Sequence, residues 1–162
     1  MHNSIIPMGM DRPALPDHCL HDPVATHLGY LLRRASAAVM AALGARLAQI
    51  GLRPVEGTIL ILVGANAGCI QSDVGRMLGI KRANMVPLIA ALANRGLLDK
   101  SPVDGRSLAL SLTAAGEAAR AQVAAIMAAQ EAQVERMLAG QDVLLLRQSL
   151  CRIVEGDEIG AA

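Results

Sequence analysis

The sequence predicts a mainly α-helical protein with one small β-hairpin, and three observations point there. The first is the composition of the core. Of 162 residues, 53% are hydrophobic, yet there is one Tyr (Tyr30), no Phe and no Trp. A core of Leu, Ala, Ile, Val and Met suits long helices, because Ala and Leu are among the strongest helix formers. The second is helical periodicity towards both ends of the chain, cut by Gly and Pro stops. The third is a single pair of short alternating segments, 97–100 and 108–112, flanking Asp104-Gly105, a strong hairpin-turn signal.

Taken in order, residues 1–22 carry Pro7, Pro13 and Pro16 without a helical period and read as an N-terminal arm. Asp22-Pro23 supplies an N-cap and a first-turn Pro, so a helix is expected to start there. Val24, Leu28, Leu31, Leu32, Val39, Leu43, Leu47 and Ile50 then recur at helical spacing until Gly51. Such a helix is too long for a small core to cover, so region 23–53 is expected to reach into a partner subunit. Pro54 opens a second helix, 54–63, ended by Gly64 and Gly68. Cys69-Ile70 can form a short strand. Ser72 begins a third helix, 72–78, stopped by Gly79, and a fourth covers 82–95 before Gly96. After the hairpin, Thr113 caps a long fifth helix ending near Gly140, and 142–154 makes a sixth. The expected organisation is therefore 1–22, 23–53, a compact 54–112 and a helical 113–162, forming one intertwined homodimeric domain. Apolar faces longer than one small domain can cover call for the second copy.

Charge divides the chain. Residues 71–110 carry Arg76, Lys81, Arg82, Arg95, Lys100 and Arg106 against Asp73, Asp99 and Asp104, a net +3. Residues 111–162 carry four Arg against seven acidic residues, a net −3, while the whole chain stands at +1. The positive charge is thus gathered on one helix-turn-helix and hairpin, the footprint of a phosphate-binding surface. The lack of aromatics argues against base-stacking single-strand binders but not against a helix in a duplex major groove. There is no nucleophile–base arrangement, no paired carboxylates and no phosphate-cradling Gly loop, so neither an enzyme nor a cofactor is expected. No signal-peptide pattern is visible, and the apolar run 59–64 is too short to span a membrane. Cys19, Cys69 and Cys151 are odd in number and widely spaced, which suits cytoplasmic thiols. Cys69 and Cys151 stand in apolar contexts and are expected in the core.

Several motifs join this pattern. Gly51-Leu52-Arg53-Pro54 precedes the second helix, and Met85-Val86-Pro87-Leu88-Ile89 lies in the fourth. Arg95-Gly96-Leu97-Leu98 follows it, then Asp104-Gly105-Arg106-Ser107 and Leu112-Thr113-Ala114-Ala115-Gly116. Over residues 24–155 the chain resembles the MarR family of winged helix-turn-helix regulators. The resemblance implies a small β-hairpin wing, long N- and C-terminal dimerisation helices, and a homodimer on a pseudo-palindromic double-stranded DNA operator. It also implies release by a small effector in a cleft between the first helix, the second helix and the winged unit. Relatives whose recognition helix reads R-A-N-M-V-P-L control aromatic-acid or phenylpropanoid catabolism, which implies an aromatic acid or its CoA thioester. Two positions depart from the family. Ile70 replaces the usual Ser/Thr cap of the third helix, with Ser72 as the substitute. Pro87 stands where a polar or basic residue is common, removing one backbone hydrogen bond and able to kink the helix.

The DNA-binding candidates are Ser72, Lys81, Arg82, Ala83, Asn84, Val86, Arg106 and Ser107. Arg forks onto guanine and Asn onto adenine, and Arg106 at the hairpin tip, beside Asp104, suits a minor-groove contact. The plainer alternatives are a local cap at Asn84, a solvated Lys81-Arg82 pair and an incidental Arg at an Asp-Gly turn. His27, Tyr30 and Arg34 share one helix face, with Arg33 beside it, and are the ligand candidates for a carboxylate or phenol. Here the alternative is surface charge around a packed Tyr. A second regulatory reading is metal or oxidant sensing by Cys19 with His18, His21 and His27, although four well-placed ligands are not evident and no metal site is assigned.

Overall fold

A computed structural model describes residues 22–103 and 108–156. The chain divides into two compact units, residues 1–35 and 36–162. Six helices and three short strands make up the described residues. They run α1 (Leu28–Ala48), α2 (Pro54–Ala65), β1 (Cys69–Ile70), α3 (Gln71–Met77), α4 (Arg82–Asn94), β2 (Leu98–Pro102), β3 (Leu108–Leu112), α5 (Ala114–Met137) and α6 (Val143–Glu155). The mainly helical class with a small antiparallel sheet is as the sequence predicts: 69% of the described residues are helical.

In the first unit, α1 starts later than Asp22-Pro23 suggests. The Asp22 Oδ1 accepts from the Val24 N–H at 3.1 Å, but the bonds that follow are one-turn bonds, Ala25 to Asp22 and His27 to Val24. The four-residue helical register begins only where the Leu31 N–H reaches the His27 carbonyl. The Asp-Pro pair caps a turn here, not the helix.

In the second unit one aliphatic core joins all the elements between α1 and α5. Leu47, Ile59, Leu60, Val63, Met85, Ile89, Leu92, Leu110 and Val123 are sealed from solvent. The sheet order is β1-β3-β2, all antiparallel, with Cys69 opposite Leu110 and Leu98 opposite Leu112. Gly64 does not end α2; the helix continues past it to Ala65, where the Gly64 face meets the side chains of Arg120 and Leu112. Cys151 is exposed on α6 and is no core residue, because no residue of α6 is buried. Cys69 is half-buried, and burial pushes its thiol up.

Two contacts fix the frame of the helix-turn-helix. Thr113 caps α5 by accepting from the Gly116 N–H at 2.9 Å, and its hydroxyl donates to the Gly96 carbonyl at 2.6 Å. A side chain at Gly116 would collide with the Leu97 carbonyl, so the L-T-x-x-G and R-G-L motifs are two halves of one joint. At the other contact Glu56, almost wholly buried, accepts from the Arg53 N–H at 2.8 Å and the Arg53 guanidinium at 2.9 Å. Its second oxygen also faces Arg95 at 3.7 Å, so the start of α2 holds the end of α4. Among the described residues no helix is long and apolar enough to cross a membrane.

Candidate nucleic-acid interface

The candidate interface is built by α3, α4 and the β2–β3 hairpin. The α3–α4 turn depends on Gly79, whose φ of +64° lies in the left-handed region. Beyond it Lys81 takes an extended conformation as the N-cap of α4 without a side-chain cap bond. Met85, Ile89 and Leu92 turn one face of α4 into the core. Helical periodicity then places Arg82, Ala83, Asn84 and Val86 in solvent, and all four are exposed.

The alternative readings of these residues separate cleanly. Asn84 caps nothing: no side chain caps α4, and the Asn84 amide makes no hydrogen bond among the described residues. Ser72 does not replace the missing cap of α3 either; Ile70 is the N-cap without a side-chain bond, and Ser72 stands two residues too far in. Its exposed hydroxyl faces a crevice instead. That crevice, about 370 Å³, lies between α3, α4 and the wing, with Ile80, Met85 and Ile89 as its floor. Ser72, Arg82, Val86 and Lys100 stand around it.

The structure narrows the basic footprint. Arg95 is engaged by Glu56, and Arg76 lies 3.3 Å from Asp73. Lys81, Arg82 and Lys100 have no acidic partner among the described residues. Lys100 is the residue that local sequence reasoning passed over. It sits mid-strand, and only the hairpin register, with Lys100 opposite Leu110, brings it to the crevice beside Arg82. Arg106 and Ser107, with Asp104, lie outside the described residues.

The ligand candidates sit in the first unit. The Arg33 guanidinium carbon is 5.0 Å and that of Arg34 5.7 Å from the centre of the Tyr30 ring, within cation–π range. Tyr30 is half-buried, while His27, Arg33 and Arg34 are exposed. Cys19, His18 and His21 lie outside the described residues. Among the described residues no group of three His, Cys, Asp or Glu could hold a metal ion.

An exposed helix behind a tight turn, flanked by a three-stranded sheet whose hairpin carries a free cation, is the winged helix-turn-helix arrangement. A MarR family sequence profile matches residues 50–107. CouR, a transcriptional repressor solved with p-coumaroyl-CoA, is 30% identical, covering 80% of this chain and 92% of that one at a TM-score of 0.73. CouR bound to a 23-mer DNA duplex is 33% identical over 78% and 91% of the two chains, at 0.69. PcaV from Streptomyces coelicolor, in complex with its natural ligand, is 26% identical over 85% and 98%, at 0.72. No curated protein sequence matches the chain. The chain belongs to the MarR family of transcriptional regulators.

Proposed function

We propose that the chain is a homodimeric repressor that holds a pseudo-palindromic DNA operator and releases it when a small aromatic acid, or its CoA thioester, binds. The observation that carries the DNA half is the convergence of Arg82, Lys100 and Ser72 beside the exposed face of α4, with both cations unpaired among the described residues. Lys81, Ala83, Asn84 and Val86 continue that surface along the helix, and Arg106 and Ser107 are the candidates that the sequence adds to it. Half-sites one turn apart, about 10 bp, suit a two-fold dimer. In this reading Arg82 and Asn84 read base edges, and Ser72, Lys81 and Lys100 hold phosphates. Support comes also from the likeness to a repressor solved on duplex DNA.

Titration of a selected duplex by fluorescence anisotropy tests this. Arg106→Ala is expected to weaken binding by about 1–3 kcal/mol and to lower the salt slope by about one. An unchanged affinity at fixed salt, with the helical signal intact, would remove Arg106 from the interface.

For the effector, the Tyr30 ring has two guanidinium groups within cation–π range, and His27 stands three residues earlier. A guanidinium suits a carboxylate, and a tyrosine hydroxyl suits a phenol. The likeness to proteins solved with p-coumaroyl-CoA and with a natural ligand supports an aromatic acid or its thioester. Tyr30→Phe and Arg34→Ala are expected to keep operator affinity within about twofold, since neither belongs to the interface, and to blunt release by p-coumaroyl-CoA. Release curves identical to wild type for both variants would take these residues out of the effector site.

A further inference from the structure

Pro87 lies inside α4 and has no N–H to donate. In an α-helix that N–H would bond the carbonyl four residues earlier, on Ala83. The helix nevertheless runs unbroken from Arg82 to Asn94. The Ala83 carbonyl therefore lacks its helical donor, and a backbone acceptor is an obligatory hydrogen-bonding group. It is not sealed in the core, because Ala83 and Pro87 are both exposed. Met85, Ile89 and Leu92 define the buried face, and at about 100° per residue Ala83 and Pro87 fall opposite it. Val86, 49% exposed, lies alongside. The outermost line of the helix is thus a methyl, a pyrrolidine ring and one carbonyl without its usual helical donor, with Val86, Arg82 and Asn84 beside it.

That chemistry selects a base pair. In the major groove an A·T pair offers the adenine N6 amine as a donor and the thymine methyl as an apolar contact. A G·C pair offers an amine without the methyl. We infer that α4 reads an A·T pair in each half-site: the Ala83 carbonyl accepts a hydrogen bond from the adenine amine, and Ala83, Val86 and Pro87 pack against the thymine methyl. The inference rests on the duplex-binding function above and adds which base pair the centre of the helix reads. It also gives the proline a role in recognition, since any other residue at 87 would set its own N–H on that carbonyl and leave it a weaker acceptor for the base.

The test begins with duplexes selected by the wild-type protein from a random-sequence pool at fixed salt. In the tightest duplex each thymine is replaced in turn by uracil, which deletes only the methyl. Each adenine is replaced in turn by 2-aminopurine, which takes the amine out of the major groove. At one A·T pair per half-site, uracil is expected to weaken binding roughly fourfold, the effect of one buried methyl. At the same pair 2-aminopurine is expected to weaken it roughly 2- to 10-fold, the range of one net hydrogen bond. Pro87→Ala restores the missing N–H and should reduce the 2-aminopurine effect at that pair, while part of the uracil effect stays through Ala83 and Val86. A duplex that binds with no thymine sensitive to uracil overturns the inference and leaves the function standing. So does full 2-aminopurine sensitivity in Pro87→Ala. Failure to select any duplex removes the function and the inference together.

Discussion

Leu150→Glu combined with Ile153→Glu is expected to leave a folded monomer whose affinity for a two-half-site operator falls by about 10²–10⁴-fold. Val143, Leu146, Leu150 and Ile153 recur at three- and four-residue steps and form one stripe along α6. Leu150 and Ile153 are each 38% exposed and Val154 85%, with no residue of α6 buried. Arg147, beside Val143 and Leu150 on the helix, ties α6 to α5 by reaching Glu131 at 2.5 Å and Glu135 at 2.6 Å. An apolar stripe that the described residues cover only in part suits a second copy. Two carboxylates there would be desolvated in a dimer but remain in water in a monomer, so the substitutions act on association and spare the fold. Once the copies separate, binding one half-site no longer raises the effective concentration at the other. Light scattering gives the mass and anisotropy the affinity. A dimer that survives both substitutions would place the interface elsewhere.

Glu56→Ala is expected to cost about 2–4 kcal/mol of stability, a fall in Tm on the order of 5–15 °C. The carboxylate bonds the N–H of Arg53, the N-cap of α2, and meets two guanidinium groups, so its removal leaves that half-buried donor unmet and frees Arg95 at the end of α4. Its titration follows from the same contacts. Burial pushes the Glu56 carboxyl up, but the Arg53 side chain and N–H, with Arg95 behind them, hold it below its ordinary value. A carboxylate lowered on folding contributes stability above its unfolded pKa, about 4.3. That contribution disappears as the pH falls through the lower folded value. Wild type should therefore lose more stability than Glu56→Gln between pH 5 and strongly acidic solution. Thermal melts of the two proteins across that range decide the matter, and parallel losses would sink the claim.

What the sequence made legible was local. Thr113, Asp142, Gly51, Gly79 and Gly96 announce helix ends through chemistry contained in a few residues, and five of the six helices start within two residues of where those signals place them. Alternation located the hairpin for the same reason. The exceptions depend on partners far away in the chain. Arg95 counted as part of the basic face until folding set Glu56 against it, across the start of another helix. Lys100 gained a place beside Arg82 only through strand register. Asp22-Pro23 carried a strong start signal but formed a turn, because a cap motif fits the first bonds of either. Cys151 resembled a core residue by its neighbours Leu150 and Ile153, yet α6 has no core to face within one chain.

The aliphatic core has an optical consequence. With no tryptophan or phenylalanine in the chain, Tyr30 is its only aromatic chromophore, and two guanidinium groups lie within cation–π range of it. Its ultraviolet emission is a one-residue reporter located among the effector candidates, free of any background from the protein interior. Quenching or a shift on adding p-coumarate would therefore report on the start of α1 without any label.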